Sequence, residues 1–421
     1  MNFEVLKSII VEGQELLEDL VPVKRTYALQ DCPRCVFVGV RQAGKSYLLY
    51  IRALSLIAEG HDIREMLFVN FDDERLIGYK AEDLDMILKA YHALYDMTPI
   101  LFLDEIQNVD CWEHFARRLA NRKYTVYITG SNAMMLSRDI SSVLGGRYME
   151  QFVFPYSFAE YLRAQNVDIT GDWHLGKTGG EVARQLKSYF EWGGFPESLL
   201  FADKRRWLNT LYDKIILGDI VVRNNIKNEM ALRLAIQRLA QNIKNPTSYN
   251  RLANMVKSTG VSTNIASIID YVEFCKESCL IFTLENFASK FVEKTTVKKH
   301  YFCDNGLLNI FLTDSDTALH ENLCALDLYK RGLDNSDEAV WFYNKEVELD
   351  FYLPGRKMGI QACYSLADDA TREREVRALA TFNTRYGLDE AVIVTYSESG
   401  QIELPELTIR LVPLADWLLR D

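Results

Sequence analysis

The chain has 421 residues, longer than a single compact core usually grows, so two or three domains are expected. Its 48% hydrophobic and 25% charged content is ordinary for a globular protein. The formal net charge of -11 argues against a protein that mainly coats nucleic acid, while leaving room for a local basic face. No apolar run approaches the length of about 18 residues that a membrane span needs. The opening Met1–Lys7, with its early glutamate, does not read as a secretion signal, so a cytoplasmic location without membrane contact is expected.

Residues 1–30 read as a helix and a lead-in. From there to about residue 150, short apolar runs (Cys35–Val38, Met66–Phe71, Ile100–Leu103, Thr125–Thr129) alternate with helical stretches. Strand–helix alternation of this kind predicts an α/β fold with a parallel sheet covered on both faces. After Phe154-Pro155 the chain turns helical, with a sharp break at Gly193-Gly194-Phe195-Pro196. The expected organisation is therefore 1–30, 31–225, a compact helical module with a hairpin over 226–303, and a smaller α/β unit over 304–421. The eight cysteines are expected to be buried small apolar residues. Cys32-Pro33-Arg34-Cys35 has metal-knuckle spacing, but no second pair follows, so both read as strand-edge residues.

Gly39-Val40-Arg41-Gln42-Ala43-Gly44-Lys45-Ser46 matches G-x-x-x-x-G-K-[ST] at every fixed position. Glycines let the backbone wrap close to phosphate, so that successive N–H groups point into one anion-binding hollow. The helix starting near Lys45 adds its positive end. Lys45 is expected to reach the β- and γ-phosphates of ATP or GTP, and the Ser46 hydroxyl to ligate magnesium. Arg41, Gln42, Ala43 and Tyr47 complete the set expected to line the nucleotide.

Phosphate binding alone neither holds magnesium nor activates water. Ile100–Leu103 form an apolar strand that delivers Asp104 and Glu105 at its tip, where open α/β sheets place their ligands. Asp104 is the expected magnesium partner and Glu105 the general base. The next strand ends in Gly130-Ser131-Asn132, so Ser131 or Asn132 is a candidate for orienting the attacking water. Arg147, after Gly145-Gly146, is a candidate arginine finger for its own chain or a neighbouring copy.

With these residues in hand, the chain resembles the AAA-type ATPases of bacteria and archaea that carry a C-terminal domain of uncharacterised function. The similarity runs through Gly39–Ser46, Leu103–Gln107, Gly130–Asn132 and Gly146-Arg147 followed by Phe154–Phe158. It continues in Gly193–Glu197 and Tyr301–Leu307. The resemblance implies ATP as the nucleotide, an AAA-like core, a winged-helix middle and a C-terminal domain of restriction-endonuclease-like fold.

Ser248–Val256, the turn at Gly260 and Ser262–Phe274 look like a helix-turn-helix. A DNA reader needs cations or amides on its second helix, yet Ser262–Cys275 has no Lys or Arg and carries Asp270 and Glu273. The basic stretch Lys290, Lys294, Lys298, Lys299, His300 reads as a solvated hairpin. Nucleic acid therefore gains little support, and a packing or partner-binding role fits the module better; an unidentified protein partner and a homo-oligomer of the whole chain are the partners expected. In the tail, Glu348-Leu349-Asp350 and Gly359–Cys363 resemble the D…(E/Q)-x-K pattern, with Glu321 adding a carboxylate. The lysine position is Cys363, so a catalytically silent fold is expected there. The expectation for the whole is a slow, magnesium-dependent ATPase whose nucleotide cycle regulates the attached domains. A nucleotide-gated scaffold and an ATP-controlled DNA nuclease are the alternatives.

Overall fold

The computed structural model describes residues 3–27, 32–131, 142–169, 173–288, 296–335 and 338–420. The chain divides into two units, Met1–Phe154 with Glu277–Cys279, and Pro155–Lys276 with Leu280–Asp421.

The first unit is an α/β layer structure. Helix α1 (Phe3–Asp19) is followed by β1 (Arg34–Val38), α2 (Lys45–Ala58), β2 (Met66–Asn70), α3 (Leu84–Leu94), β3 (Ile100–Asp104), α4 (Trp112–Asn121), β4 (Val126–Gly130) and β5 (Met149–Phe152). The strands form one parallel sheet in the order β2-β3-β4-β1-β5. Every residue of β3 and β4 is buried, which is why these strands read as continuous apolar runs rather than alternating ones. Helix α1 packs on β2 and α3 and buries Leu6, Ile9 and Ile10 in the same core. Gly13 permits that approach, since a Cβ there would lie 2.8 Å from the Cβ of Phe68. The segment expected to be a separate lead-in thus belongs to the body of the sheet.

The second unit opens with α5 (Phe158–Ala164), α6 (Gly176–Trp192), α7 (Lys204–Lys214) and α8 (Glu229–Gln241). Next come β6 (Thr247–Ser248), α9 (Tyr249–Lys257), α10 (Ile265–Glu277), β7 (Ile281–Glu285) and β8 (Val297–Phe302), the strands pairing antiparallel as β6-β8-β7. After α11 (Asn305–Asn309) and α12 (Asp316–Asp334), strands β9 (Trp341–Asn344), β10 (Glu348–Leu353), β11 (Met358–Ala362), β12 (Glu390–Thr395), β13 (Gly400–Leu404) and β14 (Leu407–Pro413) form a mixed sheet, with α13 (Asp369–Tyr386) between β11 and β12. Its order is β13-β14-β12-β11-β10-β9.

The second unit starts at Pro155, ahead of the boundary expected at residue 225, because sequence-distant segments lock together in it. The N–H of Tyr156 donates to the carbonyl of Gly194 at 2.8 Å. The Asp304 carboxylate accepts from the N–H groups of Gly194 and Gly306, each at 2.7 Å, and Asn305 Nδ2 donates to the carbonyl of Phe190 at 2.9 Å. A Cβ on Gly193 would fall 1.9 Å from that carboxylate, and φ is +74° there, so both space and conformation demand glycine. Pro155–Phe158, Gly193–Glu197 and Tyr301–Leu307 are thus parts of one structural joint. Burial pushes the Asp304 carboxyl up to about 6. Among the described residues, no helix is long and apolar enough to cross a membrane.

Candidate nucleotide site

The C-terminal tips of β3, β4 and β1 lie side by side, with Leu103 level with Ile128 and Val38 level with Gly130. Residues 39–44 turn from β1 into α2 around this corner. Gly39 passes so close to β5 that a Cβ would meet the carbonyl of Val153 at 2.0 Å. Gly44, at φ 94°, starts α2 from the left-handed region that suits glycine, and Gln42 shares that region at φ 62°. Both fixed glycines of the motif therefore have a local reason.

Lys45 is 4% exposed. Its ammonium donates to the carbonyls of Gly39 and Val40 at 3.2 and 3.1 Å, folded back over the loop, and lies 3.8 Å from Glu105. Asp104 ends β3 fully enclosed. Burial, reinforced by Glu105, raises its carboxyl pKa, while hydrogen bonds from Thr129 and Ser46 and the charge of Lys45 oppose the rise. A buried carboxylate beside a serine hydroxyl at a loop built for phosphate is a donor set that suits a hard divalent cation. Arg41 is half-buried in the loop and Tyr47 is 51% exposed on the first turn of α2.

Glu105 is half-buried and adopts φ 50°, an uncommon conformation for a non-glycine residue. Its own N–H donates to Thr129 Oγ1 at 2.9 Å, and the Thr129 hydroxyl in turn donates to Asp104 Oδ1. One threonine thus ties both carboxylate residues together. Gln107 reaches back from the following turn, Nε2 donating to Glu105 Oε2 at 2.5 Å and lying 3.4 Å from Ser131 Oγ. Ser131 and Asn132 are the polar residues expected at this strand end, whereas the contacts to the carboxylate residues come from Thr129, whose only mark in the sequence is being the polar residue after the apolar run Val126–Ile128. Asn132 lies outside the described residues.

The structure does not bring Arg147 to this corner of its own chain. Its carbonyl accepts from Arg34 Nε at 3.0 Å, and Arg34 is the first residue of β1, at the far end of the strand from Gly39. The guanidinium donates to Asn121 Oδ1 at 2.8 Å and to the carbonyls of Leu144 and Gly145. Arg25 is instead the missed cation, buried, with Nη1 on the carbonyl of Ala43 at 3.2 Å and Nη2 on that of Phe154 at 2.7 Å. It braces the loop from behind. Cys32 and Cys35 are buried free thiols at the start of β1. Cys35 holds the Cys32 pKa down at about 7, against burial.

Residues 33–162 match the family described as an AAA domain, and residues 183–318 match a domain of unknown function (DUF8612). The uncharacterized protein MJ1544 of Methanocaldococcus jannaschii is 30% identical over 429 residues, spanning 99% of this chain and 95% of that one. The chain belongs to the same family as MJ1544. An uncharacterized protein of Haemophilus influenzae is 26% identical over 99% of this chain and 100% of its own length. The Walker-type ATPase PABY2304 of Pyrococcus abyssi is similar in structure at a TM-score of 0.43 and 14% identity, covering 71% of this chain and 94% of that one. Residues 33–162 are the AAA-type P-loop domain of that family.

A second polar cluster lies in the other unit. Lys299 on β8, which the sequence suggested was a solvated hairpin cation, is 0% exposed. Its ammonium contacts Glu321 Oε1 at 3.0 Å, Glu348 Oε1 at 3.1 Å and Asp350 Oδ1 at 3.2 Å. Burial works against its charge, but Glu321, Tyr301, Asp350 and Glu348 outweigh it and hold the pKa well above the ordinary lysine value. Burial pushes the Glu321 carboxyl up to about 7, and Tyr301 Oη donates to it at 2.8 Å. Asp350 accepts from the N–H of Ala362 at 3.0 Å, and Gln361 Oε1 accepts from the N–H of Asp350 at 2.7 Å. The cluster borders a cavity of about 1080 Å³, whose lining includes Glu321, Glu348, Asp350, Gln361, Cys363 and Arg374. Burial raises the Cys363 thiol to about 11, so it supplies no charge. The ammonium that lies among these carboxylates is that of Lys299, from a different strand. Lys290 and Lys294 lie outside the described residues.

Proposed function

We propose that the protein is a magnesium-dependent ATPase in which residues 39–46 hold the triphosphate and Glu105 activates water. The observation that carries this reading is the meeting of Lys45, Ser46, Asp104 and Glu105 at one sheet corner, with Lys45 lying 3.8 Å from Glu105. Lys45 would leave the carbonyls of Gly39 and Val40 for the β- and γ-phosphates, an exchange that costs little because both ends are hydrogen-bonded. Ser46 and Asp104 would hold magnesium, which when bound offsets phosphate charge and polarises the γ-phosphorus. Glu105 would take the water proton, with Thr129 fixing its backbone. Arg41, Gln42, Ala43 and Tyr47 would border the nucleotide, and Ser131 would face the γ-phosphate end. Arg147 would act only on a neighbouring copy.

In this reading the nucleotide cycle biases the two attached modules, residues 226–303 as a winged-helix-like unit and 304–421 as a restriction-endonuclease-like one. Phosphate release tests it. Glu105→Gln should lower turnover by about 10²–10⁴-fold while retaining ATP, and Lys45→Ala should weaken nucleotide binding itself. Equal, residual release from wild type and Glu105→Gln would leave a nucleotide-gated scaffold in its place.

The Lys299 cluster supports a second reading, phosphodiester cleavage in the C-terminal cavity under nucleotide control. It groups an ammonium with Asp350, Glu321 and Gln361. Metal-dependent nicking of plasmid that disappears in Asp350→Ala would establish it. No nicking in the presence of manganese and ATP would leave the fold catalytically silent.

A further inference from the structure

The turn after Glu105 places an amide side chain, that of Gln107, against the Glu105 carboxylate. Gln107 sits on the short turn Ile106–Asn108, which the sharp left-handed kink at Glu105 folds back over the β3 tip. Its carboxamide therefore lies against the reacting corner rather than out in solvent. The donor edge is saturated, with Nε2 on Glu105 Oε2 at 2.5 Å and within 3.4 Å of Ser131 Oγ. The acceptor edge is not. Gln107 Oε1 is buried and has no hydrogen-bond partner among the described residues. A buried carbonyl oxygen without a donor costs about 1–3 kcal/mol, so native structures rarely keep one unless a ligand or water completes it.

The amide also has a reason for its orientation. Turned over, it would put Oε1 against the Glu105 carboxylate and lose the charge-assisted bond, so the carboxylate fixes which edge is left open. The open acceptor is separated from its bound nitrogen by one carbon. It therefore lies within one amide group of the Glu105 carboxylate.

We propose that Gln107 positions the attacking water, Oε1 accepting one O–H of the water while Glu105 accepts the other. In the step served, the water oxygen bonds to the γ-phosphorus as the bond from that phosphorus to the β,γ-bridging oxygen breaks. The water proton passes to Glu105, and the leaving electron pair stays on ADP. Two acceptors on one water hold both of its O–H groups and so aim its lone pairs at the phosphorus, which lowers the barrier through orientation rather than through nucleotide affinity. The inference rests on the ATPase reading.

The test compares single-turnover and steady-state phosphate release with binding of a fluorescent ATP analogue, in wild type, Glu105→Gln, Gln107→Met and Gln107→Glu. Gln107→Met keeps length and loses both polar edges. It should lower kcat about ten- to a hundredfold, with KM and analogue affinity within about threefold of wild type. Gln107→Glu sets a second carboxylate beside Glu105, so its residual activity should peak at lower pH than wild type, where the pair holds one proton; the split between kcat and KM in Gln107→Met is the readout that a purely structural side chain would not give. If kcat of Gln107→Met is unchanged or higher, or if only KM moves, the inference is overturned while hydrolysis stands. If wild-type release does not depend on Glu105, the hydrolytic reading falls and this inference with it.

Discussion

Each unit buries a lysine against carboxylates, and the two lysines are in opposite condition. Lys45 rests on two neutral carbonyls and stands 3.8 Å from a half-buried glutamate, so most of its charge is unspent. Lys299 is surrounded by Glu321, Glu348 and Asp350 within 3.2 Å, and its charge is consumed inside the protein. An ammonium held by weak acceptors can change partners when a polyphosphate arrives. One held by three carboxylates in a low dielectric cannot leave without stranding buried negative charge. The difference separates a loop poised for a ligand from a cluster that chiefly fixes the packing of β8, α12 and β10.

Removing Lys299 should break this comparison most forcefully. Lys299→Met leaves Glu321 and Asp350 without their cation and should destabilise the second unit by about 3–5 kcal/mol. Equilibrium urea unfolding should show the shift, with phosphate release by the first unit largely kept below the transition. A smaller loss than about 1 kcal/mol would mean that the carboxylates take up protons and that the cluster is not held by charge.

Thr129→Val should act at the intermediate level. It keeps the buried shape and deletes the hydroxyl shared by Asp104 and the N–H of Glu105. Two groups lose a partner, so the barrier should rise by about 1–3 kcal/mol, roughly five- to 150-fold in turnover, with the melting temperature only slightly lowered. An unchanged turnover would show that the kink at Glu105 holds without it.

Arg147→Ala should have the smallest effect. Its guanidinium partners are Asn121 and two main-chain carbonyls at the far end of β1. At protein concentrations low enough to keep copies apart, phosphate release should be unchanged within about twofold, since exposed polar contacts contribute at most about 1 kcal/mol. A defect that appears only as protein concentration rises would assign Arg147 to a neighbouring copy's site.

The two clusters are unequally legible in the sequence. The strand and loop around Gly39–Ser46 could be read because a parallel strand and the turn after it carry their ligands in consecutive residues, and Asp104-Glu105 follow the same rule. Thr129 escaped attention because its partner is set by the register of β4 against β3, and Gln107 because only the kink at Glu105 turns it inward. Arg147 looked like a finger on its neighbouring glycines, yet the parallel pairing of β1 with β5 sends it to the opposite end of the sheet. In the second unit Lys299, Glu321 and Asp350 come from three separate elements. No spacing rule connects them.

What the sequence by itself determined is the chemistry that fits within one turn of chain: two glycines where backbone must pass close, then an ammonium, a hydroxyl, and two acids ending an apolar run. Tertiary structure alone decided which side chains these groups meet. That includes the threonine bridging the acids, the arginine behind the loop, the amide with one edge left open, and the lysine sealed among carboxylates. The physical reason is range. Backbone conformation and local amphipathicity are fixed by neighbours a few residues away, whereas a hydrogen bond or ion pair is fixed by strand order and register, which depend on the packing of the whole core.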